Sequence, residues 1–320
     1  MTDPSAEPTD TDAVLRLVQQ ELARWRPTAW EDDISAHALD EEPFENAGVA
    51  ADLVGRLAEY EHLVRDTPTP GDLSLDELVI RDTFAMPGPT DREGYSVGYD
   101  GHFWVSGLVD FLKVNQVLEQ RNLRPASMLE LGAASGRALR HFAVHSDIEE
   151  IWATDLNRRH VRWLLEFMPA HVRAIFNSAL PTLPLRDNSV DLVTAFSVFT
   201  HIDTFETAWL AELARIISDR GLCYLTVHND DTWNALADHD PTDNRLIEAM
   251  TQSDPETPSK LQGPVPRGRT VYRFRHDGPY RANVFLSNDH IERVWGRFFT
   301  IEEITPRHHG LQSVVVARRK

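Results

Sequence analysis

Cysteine is nearly absent from this 320-residue chain, and positively charged residues are outnumbered. Cys223 is the only cysteine and lies in an apolar run over 221–227, so the sequence offers neither a disulfide framework nor a cysteine-based zinc site. Lys and Arg total 32 against 50 Asp and Glu, which gives a formal net charge of −18 at pH 7. Because nucleic-acid binding depends on cationic side chains that neutralise phosphates, we expect no nucleic-acid partner.

Long apolar runs are missing as well. No run approaches the roughly 20 residues that span a bilayer, and residues 1–12 are acidic, without the basic start of a signal peptide. We therefore expect a cytoplasmic protein with no membrane partner. Residues 1–12, rich in Asp, Thr and Pro, are typical of a disordered tail. The 42% apolar content of the chain is enough for a substantial core.

The two common phosphate-binding motifs are absent too. A dinucleotide fingerprint would need glycines at 132, 134 and 137, where the sequence has Gly132, Ala134 and Arg137. A P-loop would have lysine after Gly136, where Arg137 stands. The pattern that is present is E-x-G-x-x-x-G, in which Glu130 would repel a pyrophosphate but suit a cation. The turn therefore predicts a positively charged nucleoside cofactor.

Four segments, in order between residues 126 and 229, resemble the motifs of a known family. The stretch E-L-G-A-A-S-G-R at 130–137 resembles motif I of the class I S-adenosylmethionine-dependent methyltransferases. Three more segments are similar to the motifs that follow it: W-A-T-D-L-N at 152–157, L-P-L-R-D-N-S-V-D-L-V at 183–193 and S-V-F-T-H-I at 197–202. The resemblance implies a methyltransferase with S-adenosyl-L-methionine as cofactor. One departure is Ala134, which stands where the family usually has glycine.

The alternation of apolar and amphipathic segments predicts the fold that this resemblance also implies. We expect an α/β protein with a Rossmann-like doubly wound seven-stranded sheet, an N-terminal helical cap and a lid insertion. The predicted strands are 128–131, 151–154, 172–176, 191–196, 222–227, 300–304 and 312–317, and the predicted core helices are 138–145, 159–167, 205–217 and 288–298. The cap covers 13–125, with amphipathic helices at 13–25 and 49–64, and the core covers 126–320, with 229–287 as the lid.

Asp155 is the sharpest single candidate for binding the cofactor. It follows Gly132 by 23 positions, close to the spacing of about 20 at which an acidic residue at the end of a second strand accepts hydrogen bonds from ribose. The alternative is a helix N-cap, since Asp is favoured there. Together with the resemblance, the predicted cofactor contacts are Glu130, Gly132, Ala133, Ala134, Gly136, Asp155, Leu156, Asn177, Ser178, Ala179 and Phe196.

Two regions outside the cofactor motifs are candidates for binding the substrate. Polar aromatic residues precede the first core strand, and they either contact the substrate or cement the cap to the core: Tyr95, Tyr99, His102 and Trp104. The lid carries a predicted hairpin of 270–275 and 280–286. Arg273 and Arg275 alternate on its first strand, so they either grip an anion together or form a solvated edge.

Methyl transfer to a hydroxyl needs a group that takes up the hydroxyl proton. His201, just after the fourth core strand, is the first candidate for this general base, and His228, at the end of the fifth, is the second. A metal site at 228–231 is the weaker alternative, so we assign no metal ligands. We expect O-methylation of a small molecule such as a sugar, a glycan precursor or a secondary metabolite, in a chain that is a possible homo-oligomer.

Other functions remain as alternatives. A non-catalytic S-adenosylmethionine-binding protein and a small-molecule N-methyltransferase are both compatible with the same motifs. A serine hydrolase is disfavoured, because the turn reads G-A-A-S-G rather than the G-x-S-x-G of a nucleophile elbow.

Overall fold

The structure is a computed structural model that describes residues 43–65, 67–96, 98–238, 244–273 and 282–320. Several predictions concern residues outside these ranges: the tail at 1–12, the helix at 13–25, Arg275 and the tip of the lid hairpin. In the part of the chain that is described, no helix combines the length and apolar character needed to cross a bilayer.

Within the described ranges, eleven strands form one large sheet and two small ribbons. They are β1 (Asn46–Val49), β2 (Ala85–Pro87), β3 (Ser127–Leu131), β4 (Glu150–Asp155), β5 (Val172–Phe176), β6 (Val190–Ala195), β7 (Ile217–Val227), β8 (Arg269–Arg273), β9 (Ala282–Leu286), β10 (Phe299–His309) and β11 (Gln312–Arg319). The large sheet has the order β10-β11-β7-β6-β3-β4-β5. Strands β3 to β7 are parallel, whereas β11 runs antiparallel to β7 and β10 antiparallel to β11. The predicted seven-stranded, Rossmann-like doubly wound sheet is confirmed.

Helices flank this sheet and build the segments before and within it. The described α-helices are α1 (Glu61–Val64), α2 (Leu75–Val79), α3 (Asp100–Gln120), α4 (Leu139–His145), α5 (Arg158–Phe167), α6 (Glu206–Ile216), α7 (Asp230–Ala237), α8 (Arg245–Ser253), α9 (Thr257–Leu261) and α10 (Asn288–Val294). Short 3₁₀ turns cover Ala50–Leu53, Ala58–Tyr60, Pro70–Asp72, Pro89–Asp91 and Trp295–Arg297. Each predicted core strand and core helix lies within a few residues of an observed one.

The prediction of one helix over 49–64 was wrong. Strand β1 ends at Val49 and pairs antiparallel with β2, and only short helical turns follow it. Gly55 has φ +76°, a left-handed conformation that ends a right-handed helix, so the apolar spacing around it belongs to separate turns. Conversely, the sequence analysis missed helix α3. More than half of its 21 residues are buried, so it has little amphipathic contrast to detect.

The two faces of the sheet pack against different material. One face shares a core with the segment before the sheet, because Trp104 and Phe111 of α3 cluster with Met128 of β3 and Phe142 of α4. A fully buried ion pair joins the same regions, with 2.6 Å between Arg140 Nε and Asp82 Oδ2. The other face packs against α6 and α10. The segment inserted after β7 has an apolar cluster of its own, formed by Trp233, Leu236, Ile247, Met250, Leu261, Tyr272 and Phe285.

Candidate active site

The glycine turn that follows β3 is held in a left-handed backbone conformation. Gly132 and Gly136 have φ values of +70° and +83°. A Cβ atom on Gly132 would lie 2.5 Å from Cγ2 of Val198, so glycine is required there for space as well as for conformation. Ala134 adopts φ +47°, which L-residues other than glycine rarely do. Helix α4 begins at Leu139, and the turn before it is held by its own backbone: the N–H groups of Gly132 and Ala133 donate to the carbonyl of Thr154, and that of Gly136 donates to the carbonyl of Ala133.

Asp155 fixes the turn from the end of β4. Its Oδ2 accepts a hydrogen bond of 2.8 Å from the backbone N–H of Ala134, and its Oδ1 accepts one of 2.7 Å from that of Asn157. The side chain is buried, yet it borders a pocket. Because each carboxylate oxygen has about two acceptor positions, Asp155 can hold the turn and still accept from a ligand.

A pocket lies at the carboxyl ends of the parallel strands. Among the predicted residues, it is lined by Tyr95, Gly132, Ala134, Asp155, Leu156, Asn177, Ala179, Phe196 and His201. Four predicted cofactor contacts lie off this lining: Glu130, Ala133, Gly136 and Ser178. The structure therefore brings most of the predicted residues together, and their contacts with a cofactor stay a prediction.

Two buried oxygens close to this pocket have no hydrogen-bond partner among the described residues. They are Glu130 Oε2 and Asn177 Oδ1. Burial raises the pKa of the Glu130 carboxyl to about 8; Arg137 opposes this, whereas Asp110 and Asp155 add to it. Such groups suit a nucleoside that carries amino groups, because each amino group can donate to an oxygen that is otherwise unsatisfied. The residues present therefore fit S-adenosylmethionine.

Residues 129–225 match a family model described as a methyltransferase domain. This match supports membership of the class I S-adenosylmethionine-dependent methyltransferase family. The chain is accordingly an enzyme whose cofactor is S-adenosyl-L-methionine. No curated protein matches the chain.

Solved structures show more distant likenesses. The 1,6-didemethyltoxoflavin-N1-methyltransferase of Burkholderia thailandensis is 15% identical, with a TM-score of 0.45 over 68% of this chain and 80% of that one. The PH0226 protein of Pyrococcus horikoshii OT3 is 16% identical, with a TM-score of 0.46 over 68% and 91% of the two chains. Both likenesses are too distant to bear on the acceptor of this methyltransferase.

A buried charge network includes Arg137, the residue that follows the glycine turn of the methyltransferase. Arg137 Nη2 lies 2.6 Å from Asp110 Oδ2 on α3, and His309 Nδ1 lies 2.7 Å from Asp110 Oδ1. Burial alone would raise the pKa of Asp110, but His309 and Arg137 outweigh it and hold that pKa well below its ordinary range. The network ties the motif I turn to α3 and to the turn between β10 and β11.

His201 lines the pocket with a defined tautomer. Its Nδ1 lies 2.8 Å from the carbonyl oxygen of Ala282 on β9. A carbonyl can only accept, so Nδ1 carries the proton of the neutral ring and the lone pair is on Nε2. Burial lowers the pKa of His201 to about 4, although the side chain retains some solvent contact, so the ring is neutral at pH 7.

His228, the second predicted base, lies off the pocket lining. Its ring is buried and stacks on Phe285, with 5.0 Å between the ring centroids. Burial lowers the pKa of His228 to about 3, with smaller contributions from His201 and His309. Asn229 is the N-cap of α7, with its side chain accepting from the backbone N–H of Thr232. Among the described residues, no group of three or more His, Cys, Asp or Glu side chains is arranged to hold a metal ion.

Three of the aromatic substrate candidates lie away from the pocket. Trp104 is fully buried in α3, and its indole N–H donates to Asp82 Oδ2 at 2.8 Å, so it cements the N-terminal segment to the sheet. Tyr99 is 67% exposed, and His102 is exposed with its Nδ1 2.6 Å from Ser96 Oγ. Sequence proximity to Tyr95 was misleading because α3 turns these side chains in different directions.

The lid arginine Arg273 is engaged with a carboxylate of the protein itself. Its Nε lies 3.1 Å from Asp203 Oδ2, and its side chain is 61% exposed. The predicted strand pairing around it is confirmed, since β8 and β9 are antiparallel with Arg273 opposite Ala282. A joint anion grip with Arg275 has no support from this geometry, because Arg275 lies outside the described residues.

The sequence analysis missed several pocket residues: Glu93, Leu131, Ser197, Val198, Ile202, Asp203, Thr204 and Trp209. Trp209 of α6 donates its indole N–H at 3.2 Å to the carbonyl of Ala179, one of the predicted cofactor contacts. Ser197, Val198 and Ile202 belong to a motif that was recognised, so their positions could have been included. Glu93 and Trp209 have no sequence signal, because they reach the pocket only through the tertiary fold.

Proposed function

We propose that this methyltransferase methylates a hydroxyl oxygen of a small molecule, of the class that includes sugars, glycan precursors and secondary metabolites. When bound, S-adenosylmethionine supplies a methyl group activated by its positively charged sulfur. In this proposal Asp155 accepts hydrogen bonds from the ribose, Asn177 Oδ1 accepts from the adenine amino group, and Glu130 lies near the ammonium end.

The observation that carries the choice of oxygen is the state of His201. The ring is neutral, lines the pocket and has its Nε2 lone pair fixed by the Nδ1 hydrogen bond to Ala282. As the acceptor oxygen gains the methyl group, its proton becomes acidic, and Nε2 is the group that takes it up. A base with a lowered pKa accepts this proton late, after most of the new bond has formed.

Charge on the pocket wall supports a neutral acceptor. The described lining carries the carboxylates of Glu93, Asp155 and Asp203 and no lysine or arginine. An anionic acceptor would therefore find no lysine or arginine on the described lining to pair with directly. The same carboxylates favour the second candidate, N-methylation of an amine, because they attract a cation.

The test follows tritium from the labelled methyl group of S-adenosylmethionine into a panel of neutral polyhydroxylated compounds, phenols and amines. We expect incorporation into hydroxyl compounds. In His201→Asn, kcat should then fall by about 100-fold, because the proton acceptor is lost. Affinity for the product S-adenosylhomocysteine should stay unchanged in that variant. Incorporation into amines alone, with a wild-type kcat in His201→Asn, would replace the proposal by N-methylation.

His228→Asn is the matched comparison for the base. Its ring lies off the pocket lining, so we expect kcat to change little even if the variant melts at a lower temperature. A large loss of kcat in His228→Asn beside a small one in His201→Asn would reverse the assignment of the base.

A further inference from the structure

A nine-residue segment before α3 closes one side of the pocket. We call residues 88–96 the strap; it runs from the end of β2 through the 3₁₀ turn Pro89–Asp91. Two of its side chains, Glu93 and Tyr95, line the pocket. Tyr95 donates its hydroxyl to Ser197 Oγ at 3.0 Å and its ring lies 4.8 Å from the guanidinium of Arg137. Tyr95 is therefore tied to the segment after β6 and to the end of the glycine turn.

Glu93 is held beside Asp155 through one buried imidazole. His160 of α5 is 2% exposed; its Nε2 lies 3.3 Å from Glu93 Oε2, and its Nδ1 lies 3.7 Å from Asp155 Oδ1. The second distance suits an ion pair and is too long for a direct hydrogen bond. Burial alone would lower the pKa of His160, but attraction to Asp155, Glu93 and Asp91 outweighs it and raises that pKa. His160 thus lies between two pocket carboxylates that favour its charged form, and it holds them near one place.

The backbone of the strap is strained at the same residue. Glu93 has φ +48° and Gly94 has φ +76°, two left-handed residues in succession. A left-handed glutamate costs about 1 kcal/mol or more, and such strain persists only where the surroundings enforce it. Asp91, two residues before Glu93, anchors the strap, because it is fully buried and accepts a hydrogen bond from Arg159 Nη2 at 3.0 Å. The result is a carboxylate held on the pocket lining, on the other side of His160 from Asp155.

We propose that Glu93 is a second ribose-binding carboxylate of the cofactor site, placed opposite Asp155 by His160. The inference rests on the proposed role of Asp155 towards ribose. A ribose has two hydroxyl groups, and each oxygen of Asp155 already accepts from one backbone N–H, which leaves it about one further acceptor position. Glu93 supplies the additional acceptor, and the N-terminal segment thereby becomes part of the cofactor site.

The test compares two probes by calorimetry: S-adenosylhomocysteine and an analogue of it that lacks both ribose hydroxyls. Glu93→Gln should weaken binding of S-adenosylhomocysteine by about tenfold, as expected for a lost charge-assisted hydrogen bond. Binding of the analogue should be unchanged. Glu93→Asp, which withdraws the carboxylate by one methylene, should show the same selectivity and serves if Glu93→Gln fails to fold.

The controls distinguish a failure of the role inferred for Glu93 from a failure of the role proposed for Asp155. Glu150→Gln also removes one ion pair, with Arg173 at 2.9 Å on the surface, and should leave both affinities unchanged. If Glu93→Gln weakens both probes equally, Glu93 supports the fold only and the inference fails. If Asp155→Asn also shows no preference between the probes, the role of Asp155 towards ribose fails with it. His160→Asn should reduce the affinity for S-adenosylhomocysteine alone, and an equal loss for both probes would count against its positioning role.

Discussion

The two walls of the pocket are built in different ways. The sheet wall consists of the glycine turn, Asp155 and the residues after β6, and all of it lies within the stretch that matches the methyltransferase model. The strap wall consists of Glu93 and Tyr95, which precede the first core strand by more than thirty residues. Backbone N–H groups and glycine shape the first wall, whereas side-chain ion pairs hold the second.

This difference separates the part of the pocket that a local sequence pattern specifies from the part that the tertiary fold assembles. A backbone site depends on a few residues of special conformation, so its sequence pattern is narrow. A wall held by ion pairs can be rebuilt with other residue types while the sheet stays the same. Substitutions in and around each wall should therefore differ in their effects on stability and on cofactor affinity.

The largest expected effect concerns Glu130, the buried carboxyl just before the glycine turn. Glu130 has a pKa raised to about 8 against an ordinary 4.5, so the folded state favours its protonated form. This contribution to stability is complete below pH 4.5 and is lost as pH rises through 8. Glu130→Gln is permanently neutral, so at pH 9 it should be more stable than wild type, by up to about 4 kcal/mol. Urea unfolding from pH 5 to 9 measures the difference.

At pH 5 the free energies of unfolding of Glu130→Gln and wild type should be nearly equal. Glu149→Gln, on an exposed side chain, is the control, and its stability should follow wild type at every pH. A constant gap between Glu130→Gln and wild type across the whole range would contradict the raised pKa.

The next largest effect concerns the packing of α3 against the end of the glycine turn. Gly107 lies in α3, where a Cβ atom would overlap the backbone carbonyl of Arg137 at the end of the glycine turn. Gly107→Ala should therefore destabilise the protein by about 3 kcal/mol, despite the better helix propensity of alanine. The matched control is Gly296→Ala, where a Cβ atom would meet nothing within 4 Å. Thermal unfolding of both variants decides, and equal melting temperatures would mean that α3 can shift away from the turn.

A smaller effect is expected on the lid. Arg273 pairs with Asp203 from a largely exposed position, so Arg273→Ala should change stability by about 1 kcal/mol or less. Affinity for S-adenosylhomocysteine should not change, because Arg273 lies off the pocket lining. Differential scanning fluorimetry with and without S-adenosylhomocysteine measures both quantities. A large affinity loss would show that the lid shapes the cofactor site.

The smallest effect returns to the glycine turn. Ala134 has φ +47°, where glycine is favoured over alanine. Ala134→Gly should raise the free energy of unfolding by about 0.5 kcal/mol, because relief of strain exceeds the added freedom of the unfolded chain. Chemical denaturation resolves a change of this size when wild type and variant are run in parallel. A clear loss of stability would mean that the methyl group contributes packing that outweighs the strain.

Sequence patterns predicted the sheet wall because its physical requirements are local. A positive φ calls for glycine, and an acidic residue stands at the end of the next strand, so Gly132 and Asp155 were identified as pocket residues from spacing. Glu93 was missed, and Trp104 was left open between substrate contact and packing, because their roles depend on contacts with His160 and Asp82, which are distant in sequence. The helix over 49–64 failed for a local reason that was visible, since Gly55 stands in its middle.

The single cysteine makes strap movement measurable. Cys223 is fully buried in β7 with a raised thiol pKa, so it is a poor target for alkylating reagents in the native state. A cysteine introduced at the exposed position Thr90 would then take up a fluorophore alone. The fluorescence of the labelled protein would report in real time whether the strap opens before product leaves.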